Sequence, residues 1–302
     1  MGDHRAQPLR RPGTAPARHP EGRVTTTDAS RYPPAWLALR ESADATARAP
    51  ELLEPLRTRL ATTTPKAPRL TIRDLGCGTG SMGRWLAPRL PGPQHWILHD
   101  HDPDLLVRAT AHAPRVAVDG SRVTVAADHG DLDRLTADTL ATTSLVTASA
   151  LLDVLTRDQV ERLATACADA GCPALLALSV AGRVDLTPAD PLDGEITDAF
   201  NAHQRRTGLL GPDAVTTAYD AFAAHGATVR VQPSPWRLGP DDSALISEWL
   251  QGWTGAARDQ RPDLAPHIDR YLMRRQEQCA AGQLRVVVHH NDLLALPRPG
   301  GA

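Results

Sequence analysis

Cysteine is scarce: the 302 residues hold four, Cys77, Cys167, Cys172 and Cys279, none in a C-x-x-C pair and none at zinc-knuckle spacing. That excludes a disulfide framework and a structural zinc site, and it suits a reducing compartment, so a cytoplasmic protein is expected. Charge of one sign is missing too. Lys and Arg number 33 against 35 Asp and Glu, a formal net charge of -2, without the basic footprint of a nucleic-acid or anionic-membrane binder. No apolar run is long enough to span a bilayer. The amino-terminal stretch "MGDHRAQPLRRPGTAPARHPEGRVTTTDAS" has arginines and prolines but no apolar segment of a secretory signal, and Ala6 stands where a myristoylation signal needs Ser or Thr. No internal repeat is visible. The partner expected is a small molecule, with no nucleic acid and no membrane, and the protein is expected as a monomer or homodimer.

What is present is a 41% hydrophobic chain able to bury a full core. Residues 1–30 lack hydrophobic periodicity and read as a disordered basic leader. From Pro34, Trp36, Leu37 and Leu39 and then Leu52, Leu53, Leu56 and Leu60 recur at helical spacing, which predicts one or two helices. Strands and helices then alternate. Strands are predicted at Leu70–Asp74, "QHWILHD", "SRVTVAAD", "TSLVTASA" and "CPALLALSV", with helices "SMGRWLAPRL", "PDLLVRATAHA" and "TRDQVERLATACADAG" between them. The last helix carries a Thr156–Gln159 capping box and stops at Gly171. Such alternation predicts an α/β fold, a doubly wound, mostly parallel sheet with helices on both faces. After Val180 about thirty residues show little strand character. A helix from Pro212 to about His225, the strand "ATVRVQPS", helices near 241–258 and 264–281 and a last strand "LRVVVHH" complete the chain.

Inside "LTIRDLGCGTGSMGRWL" two glycine patterns overlap. From Gly78 it reads G-x-G-x-x-G, the dinucleotide fingerprint; from Asp74 it reads D-x-G-x-G-x-G through Gly76, Gly78 and Gly80. Both place a glycine-rich turn at the end of the first strand, where backbone approaches a ligand closely. The carboxylate decides between them. Asp74 opposes an anionic pyrophosphate, whereas S-adenosylmethionine has no phosphate and carries a positive sulfonium and a positive amino group. A nicotinamide enzyme stays open as the alternative, because Asp100 lies about twenty residues beyond the glycines, where a ribose-binding acid also sits in dehydrogenases. A non-catalytic cofactor-binding module is the other alternative.

The motif "RDLGCGTGSMGRWL" resembles motif I of the class I S-adenosylmethionine-dependent methyltransferases, and the likeness continues along the chain to a little-characterised bacterial group carrying "SALLDVL" and "FNAHQRRTGLLGP". The resemblance implies a seven-stranded, Rossmann-like sheet with helical cap insertions, segments 31–64, 181–211 and 238–282 of a domain spanning 31–302. It implies S-adenosylmethionine as cofactor, cradled by Asp74, Gly76, Gly78 and Gly80. By the same resemblance Asp100, with His101 beside it, takes the ribose hydroxyls, Asp131 and Leu132 of "HGDLDRL" take the adenine, and Ser149 runs beside the methionyl part. "LRVVVHHNDLLALP" resembles the family's reversed last strand.

Methyl transfer is an in-line displacement, so the protein must align nucleophile, methyl carbon and sulfur, exclude water and, for some acceptors, remove a proton. No metal is needed, and although His95, His99, Asp100, His101 and Asp102 lie close together, Asp100 is better used on ribose. The Asn/Asp-Pro-Pro-Tyr motif is absent after strand four, and Thr147 and Ser149 stand where a metal-dependent catechol enzyme wants aspartates. A small organic metabolite with an oxygen or nitrogen acceptor is therefore expected. For catalysis His203 is the first candidate base and Asp153 the second. Asn201, Gln204 and Arg205, with Arg206, are candidate acceptor contacts, and Trp236 and Trp253 candidate lid residues, although Leu245, Trp249 and Trp253 also form a stripe suited to a core. Trp36, Arg40 and Asp44 share one helical face; Arg40 is expected either at the cofactor carboxylate or in an i, i+4 pair with Asp44.

Overall fold

Strand formation follows the apolar runs, and the connections between them decide where the strands lie. In the computed structural model, which describes Met1, residues 33–63 and residues 69–298, the first five strands are β1 (Leu70–Leu75), β2 (Gln94–Asp100), β3 (Val123–His129), β4 (Leu145–Ser149) and β5 (Ala174–Thr187). Three more follow: β6 (Thr228–Pro233), β7 (Trp236–Leu238) and β8 (Arg285–Leu296). The expected leader, residues 1–30, lies outside the described residues apart from Met1. Sheet order is β3-β2-β1-β4-β5-β8-β6, with β7 pairing β8 as an eighth strand. Neighbours from β3 to β5 are parallel and β8 runs antiparallel to β5 and β6. The order reverses between β1 and β4, which opens the crevice at their carboxyl ends.

Ten helices are described: α1 (Pro34–Ala47), α2 (Leu53–Thr63), α3 (Ser81–Leu86), α4 (Pro103–Ala111), α5 (Ala137–Leu140), α6 (Arg157–Asp169), α7 (Asp193–Gln204), α8 (Ala214–Ala224), α9 (Ser243–Gln260) and α10 (Ala265–Ala280). One face of the sheet packs Leu52, just before α2, Leu56 and Leu60 of α2, Met82 and Leu86 of α3 and Leu106 of α4 on Ile72, Trp96 and Leu98. The other packs Val160 and Leu163 of α6 and Ala218 and Phe222 of α8 on Leu75, Val146 and Leu176. The capping box is formed as expected, Gln159 N–H donating to Thr156 Oγ1 (3.3 Å) and Thr156 N–H to Gln159 Oε1 (3.0 Å). It fixes the start of α6 directly after the crevice.

One expectation needs correction. The fifth strand does not stop at Val180: it runs to Thr187, paired with β8 through register shifts at Leu176/Ser179 and Val180/Val184. Leu178 and Gly182 take positive φ (56° and 70°) there, so the alternation slips and its charged residues read as loop. The remainder of that segment holds α7. A third core joins α7, α9 and α10 over the long β5–β8 ladder, with Ile196, Leu245, Ile246, Trp249, Trp253 and Tyr271 buried in it and Trp36 and Ala47 of α1 packed against it.

Candidate active site

The turn after β1 is held by backbone that only glycine adopts easily. Gly76, Gly78 and Gly80 have φ of +57°, +54° and +86°. A Cβ on Gly76 would stand 2.8 Å from Leu151 Cδ1 and one on Gly78 3.3 Å from Leu37 Cδ1. The turn lies across the end of β2: Cys77 N–H donates to the His99 carbonyl (3.0 Å) and Gly78 N–H to Asp100 Oδ2 (2.8 Å), while Asp102 N–H donates to Asp100 Oδ1 (2.9 Å). Gly130 N–H reaches the Asp100 carbonyl (3.2 Å), which brings the Asp131 turn beside it. Asp131 itself is exposed, and its Oδ1 accepts from Asp133 N–H (3.1 Å). Leu132 and Leu151 line one apolar crevice with Leu75, Leu135 and Leu155. His101 lies 3.5 Å from Asp100 Oδ1 through its Nδ1.

Asp74 is 1% exposed, across the β1–β4 pair from Thr147, whose hydroxyl donates to Asp74 Oδ1 (2.7 Å). Its Oδ2 has no hydrogen-bond partner, and burial pushes its pKa up from 3.8 to about 7. Arg48, immediately after α1, is 2% exposed. One of its nitrogens, Nη2, donates to Ser81 Oγ (3.2 Å) and Ser149 Oγ (3.0 Å), tying α3 and β4 together, and its guanidinium carbon lies 5.6 Å from the Trp85 ring centre. Nε and Nη1 are buried without a partner, and desolvation pushes the pKa of this group down despite Asp44, Asp292 and Asp74 around it. A buried guanidinium with two free donor nitrogens is costly unless something anionic completes it.

Of the two places expected for Arg40, the cofactor carboxylate or a pair with Asp44, the structure shows the pair. Arg40 forms a bidentate pair with Asp44 (3.0 and 3.2 Å) and lies over Trp236 (5.0 Å) and Trp36 (6.0 Å). Arg48 was missed, although the step of four that links Trp36, Arg40 and Asp44 continues to it. Also unforeseen are Glu41, which holds Arg84 of α3 through two 2.6 Å contacts, and Arg84 Nη1, which donates to the Thr79 carbonyl (2.6 Å) and so braces the glycine turn.

The residues expected to contact the acceptor divide. Asn201 donates to the Gly182 carbonyl (2.7 Å), holding the β5 irregularity, and Arg205 is paired with Asp213 in an exposed bridge (2.6 and 2.8 Å). Gln204 packs where a Cβ on Gly211 would sit. His203, with burial and Arg206 pulling its pKa down, contacts Arg206 at the carboxyl end of α7. None of these four has a described contact with the glycine turn. Trp253 is buried in the cap, stacked on Trp249 (5.0 Å). Trp236 donates from Nε1 to Asp44 Oδ1 (3.0 Å) and stands 5.2 Å from the His290 ring. Asp153, in the turn after β4, is buried with Oδ1 unpartnered, and burial raises its pKa. Among the described residues no group of three or more His, Cys, Asp or Glu could hold a metal ion.

Residues 72–173, from β1 to the approach of β5, match a family model described as a methyltransferase domain. It is over this segment, about a third of the chain, that the sequence is similar to a methyltransferase domain. The match covers the glycine turn, Asp74, Asp100 and Asp131 and stops before the cap. No curated protein matches the sequence. Among solved structures, a cyclopropane synthase of Mycobacterium tuberculosis shares 13% identity at a TM-score of 0.40, with 80% of this chain and 83% of that chain covered. A methyltransferase of Geobacter sulfurreducens in complex with S-adenosylhomocysteine shares 15% at 0.42, covering 88% and 99%. A phosphoethanolamine N-methyltransferase of Haemonchus contortus shares 14% at 0.42, covering 90% of this chain and 60% of that one.

The residues present fit S-adenosylmethionine, the cofactor that the resemblance implies. The glycine cradle leaves no room for side chains, and the orphaned atoms have its charges: free donors on Arg48 for a carboxylate, a free oxygen on Asp74 for an ammonium. The nicotinamide alternative meets the obstacle foreseen, a buried carboxylate at the strand end where a pyrophosphate would lie. Among the described residues no helix is long and apolar enough to cross a membrane.

Proposed function

We propose that this methyltransferase domain extends over residues 31–302, with segments 31–64, 181–211 and 238–282 as its cap, and methylates a nitrogen or oxygen of a small organic metabolite in the cytoplasm, as a monomer or homodimer. The observation that carries the reading is the pair of orphaned, buried, oppositely charged groups flanking the glycine turn, Arg48 and Asp74. Of the two, Asp74 is the one that opposes a dinucleotide's pyrophosphate. Arg48 receives the methionyl carboxylate beside Ser149, Asp74 takes the amino group, and Gly76, Gly78 and Gly80 let the backbone close on both. Asp100, with His101 next to it, accepts from the ribose hydroxyls; Asp131 accepts from the adenine amino group, and Leu132 with Leu151 packs the ring.

When bound, S-adenosylmethionine supplies a methyl carbon made electrophilic by its sulfonium, whose departing bond leaves its electrons on sulfur. The chain's own part is to hold that group rigidly, to bury it and to remove a proton from acceptors that need it. Asp153 suits the last task better than His203, since it follows β4 directly and keeps a free oxygen, and burial raises its pKa. The test is calorimetric titration of the protein and of Arg48→Met with S-adenosylmethionine and with 5′-methylthioadenosine, which lacks the amino-acid half. A charge-assisted pair is worth ~1.5–3 kcal/mol, so the variant weakens the full cofactor by about 10- to 100-fold and leaves the truncated one unchanged. Equal losses for both, or none for either, contradict the assignment.

A further inference from the structure

Asp292, in β8, is a buried carboxylate, 1% exposed, that holds two stretches of backbone belonging to other elements. Its Oδ2 accepts from Ala49 N–H (2.8 Å), in the residue directly after Arg48. Its Oδ1 accepts from Leu178 N–H (2.8 Å), at the point where the β5–β8 register shifts. Four contacts then close a ring. From Asp292 it passes to Ala49 and so to Arg48, whose Nη2 donates to Ser149 Oγ (3.0 Å) at the end of β4. Ala150, the next residue, donates from its N–H to the Ala177 carbonyl (2.9 Å), and Leu178, after Ala177, returns to Asp292. Ala150 and Leu178 both take positive φ (51° and 56°), which residues with side chains keep only where their surroundings impose it.

Arg48 depends on such support. Helix α1 ends on it: its own N–H still reaches the Asp44 carbonyl (3.1 Å), but its ψ of 136° turns the chain out of the helix. The Ala49 N–H that follows goes to Asp292 instead of a helical carbonyl. A guanidinium on a long stem is aimed by the backbone that carries it, and here the carboxylate fixes that backbone. An amide is no substitute. Asp292 accepts with both oxygens, whereas asparagine has one, and its nitrogen would face one of the two N–H donors.

We propose that Asp292 is a positioning residue for cofactor binding: by holding Ala49 and Leu178 it sets Arg48 and Ser149 where the free nitrogens of Arg48 meet the methionyl carboxylate. It acts through Arg48 and not on the cofactor directly. This rests on the reading of Arg48 under the proposed function and adds the residue that aims it.

The test is calorimetric titration of four proteins, the wild type, Arg48→Met, Asp292→Asn and the double variant, with S-adenosylmethionine and with 5′-methylthioadenosine. Asp292→Asn should weaken S-adenosylmethionine about tenfold, no more than Arg48→Met does, and leave 5′-methylthioadenosine within about twofold. Once Arg48 is gone, the second substitution should change neither ligand by more than about twofold, because residues acting as a unit are not additive. Ala49→Pro serves if Asp292→Asn fails to fold. It removes the N–H donor at a φ of -76° that proline accepts, after a residue already extended, and should give the same pattern. Equal weakening of both ligands, weakening of S-adenosylmethionine that is undiminished in the Arg48→Met background, or no weakening overturns the proposal. If Arg48→Met itself does not discriminate between the ligands, the reading of Arg48 fails and this one with it; discrimination by Arg48→Met without any by Asp292→Asn overturns the role of Asp292 alone.

Discussion

Replacing Asp74 by Asn should make the fold less sensitive to pH, in a window set by one carboxyl. Asp74 is buried at the end of β1 with Oδ2 unpartnered, and its pKa is raised from 3.8 to about 7. A carboxyl raised in the folded state binds its proton more tightly there than in the unfolded chain. Its contribution to stability is therefore fully present below pH 3.8 and is lost as pH rises to about 7. Each unit inside that window costs about 1.4 kcal/mol, less near its upper end where the group is half ionised, so between pH 5 and pH 7 Asp74 alone removes roughly 2 kcal/mol of unfolding free energy. In Asp74→Asn that slope disappears, while Thr147 keeps an oxygen to donate to. Urea unfolding of both proteins, without cofactor, at pH 5, 6, 7 and 8 reads it directly: the wild-type minus variant difference should fall steadily to pH 7 and then level. A difference that stays constant across the four values refutes the reasoning, because it means that Asp74 is ionised throughout.

Three shorter predictions follow from the same geometry. Gly76→Ala places a Cβ 2.8 Å from Leu151 at φ +57°, so it should weaken S-adenosylmethionine binding by about tenfold or more and lower the melting temperature, with a strain cost of ~1–3 kcal/mol; unchanged calorimetry removes the claim that the turn is tight. In the cap, Asp193 Oδ1 accepts from Tyr271 OH (2.6 Å) and from buried Arg275 Nη2 (2.5 Å), so Asp193→Ala should strand that guanidinium and cost ~3–5 kcal/mol by urea unfolding; a loss under 1 kcal/mol contradicts it, given the usual surface-pair range of about 0–1 kcal/mol. His203→Ala should leave binding of S-adenosylmethionine within about twofold, a change of roughly 0.4 kcal/mol, since His203 contacts Arg206 at the far end of α7; a large loss would return it to the site.

The parts of the fold that were legible in the sequence are those fixed by local rules. The second strand matches residue for residue, the Thr156–Gln159 box caps α6, and the stripe of Leu245, Trp249 and Trp253 is buried as a core stripe should be. The strand beyond Val180 was not legible, because positive φ at Leu178 and Gly182 breaks the alternation on which strand reading depends. At the site, the glycine turn and Asp74 announce themselves by type and spacing. The polar residues of α7 do not, because their partners are distant: Asn201 serves Gly182 and Arg205 serves Asp213. Arg40 and Arg48 share one helical face, and only the third dimension gives the first to Asp44 and leaves the second with free donors.

The measurement that tests the central claim most directly is calorimetric titration of the protein with S-adenosylmethionine and, in parallel, with NAD, repeated on Asp100→Ala. The account predicts that S-adenosylmethionine binds and NAD does not. Loss of two charge-assisted hydrogen bonds to ribose, worth about 3 kcal/mol together, should weaken the variant by roughly 100-fold. Binding of NAD with a comparable constant, or binding of S-adenosylmethionine that Asp100→Ala leaves untouched, would contradict it.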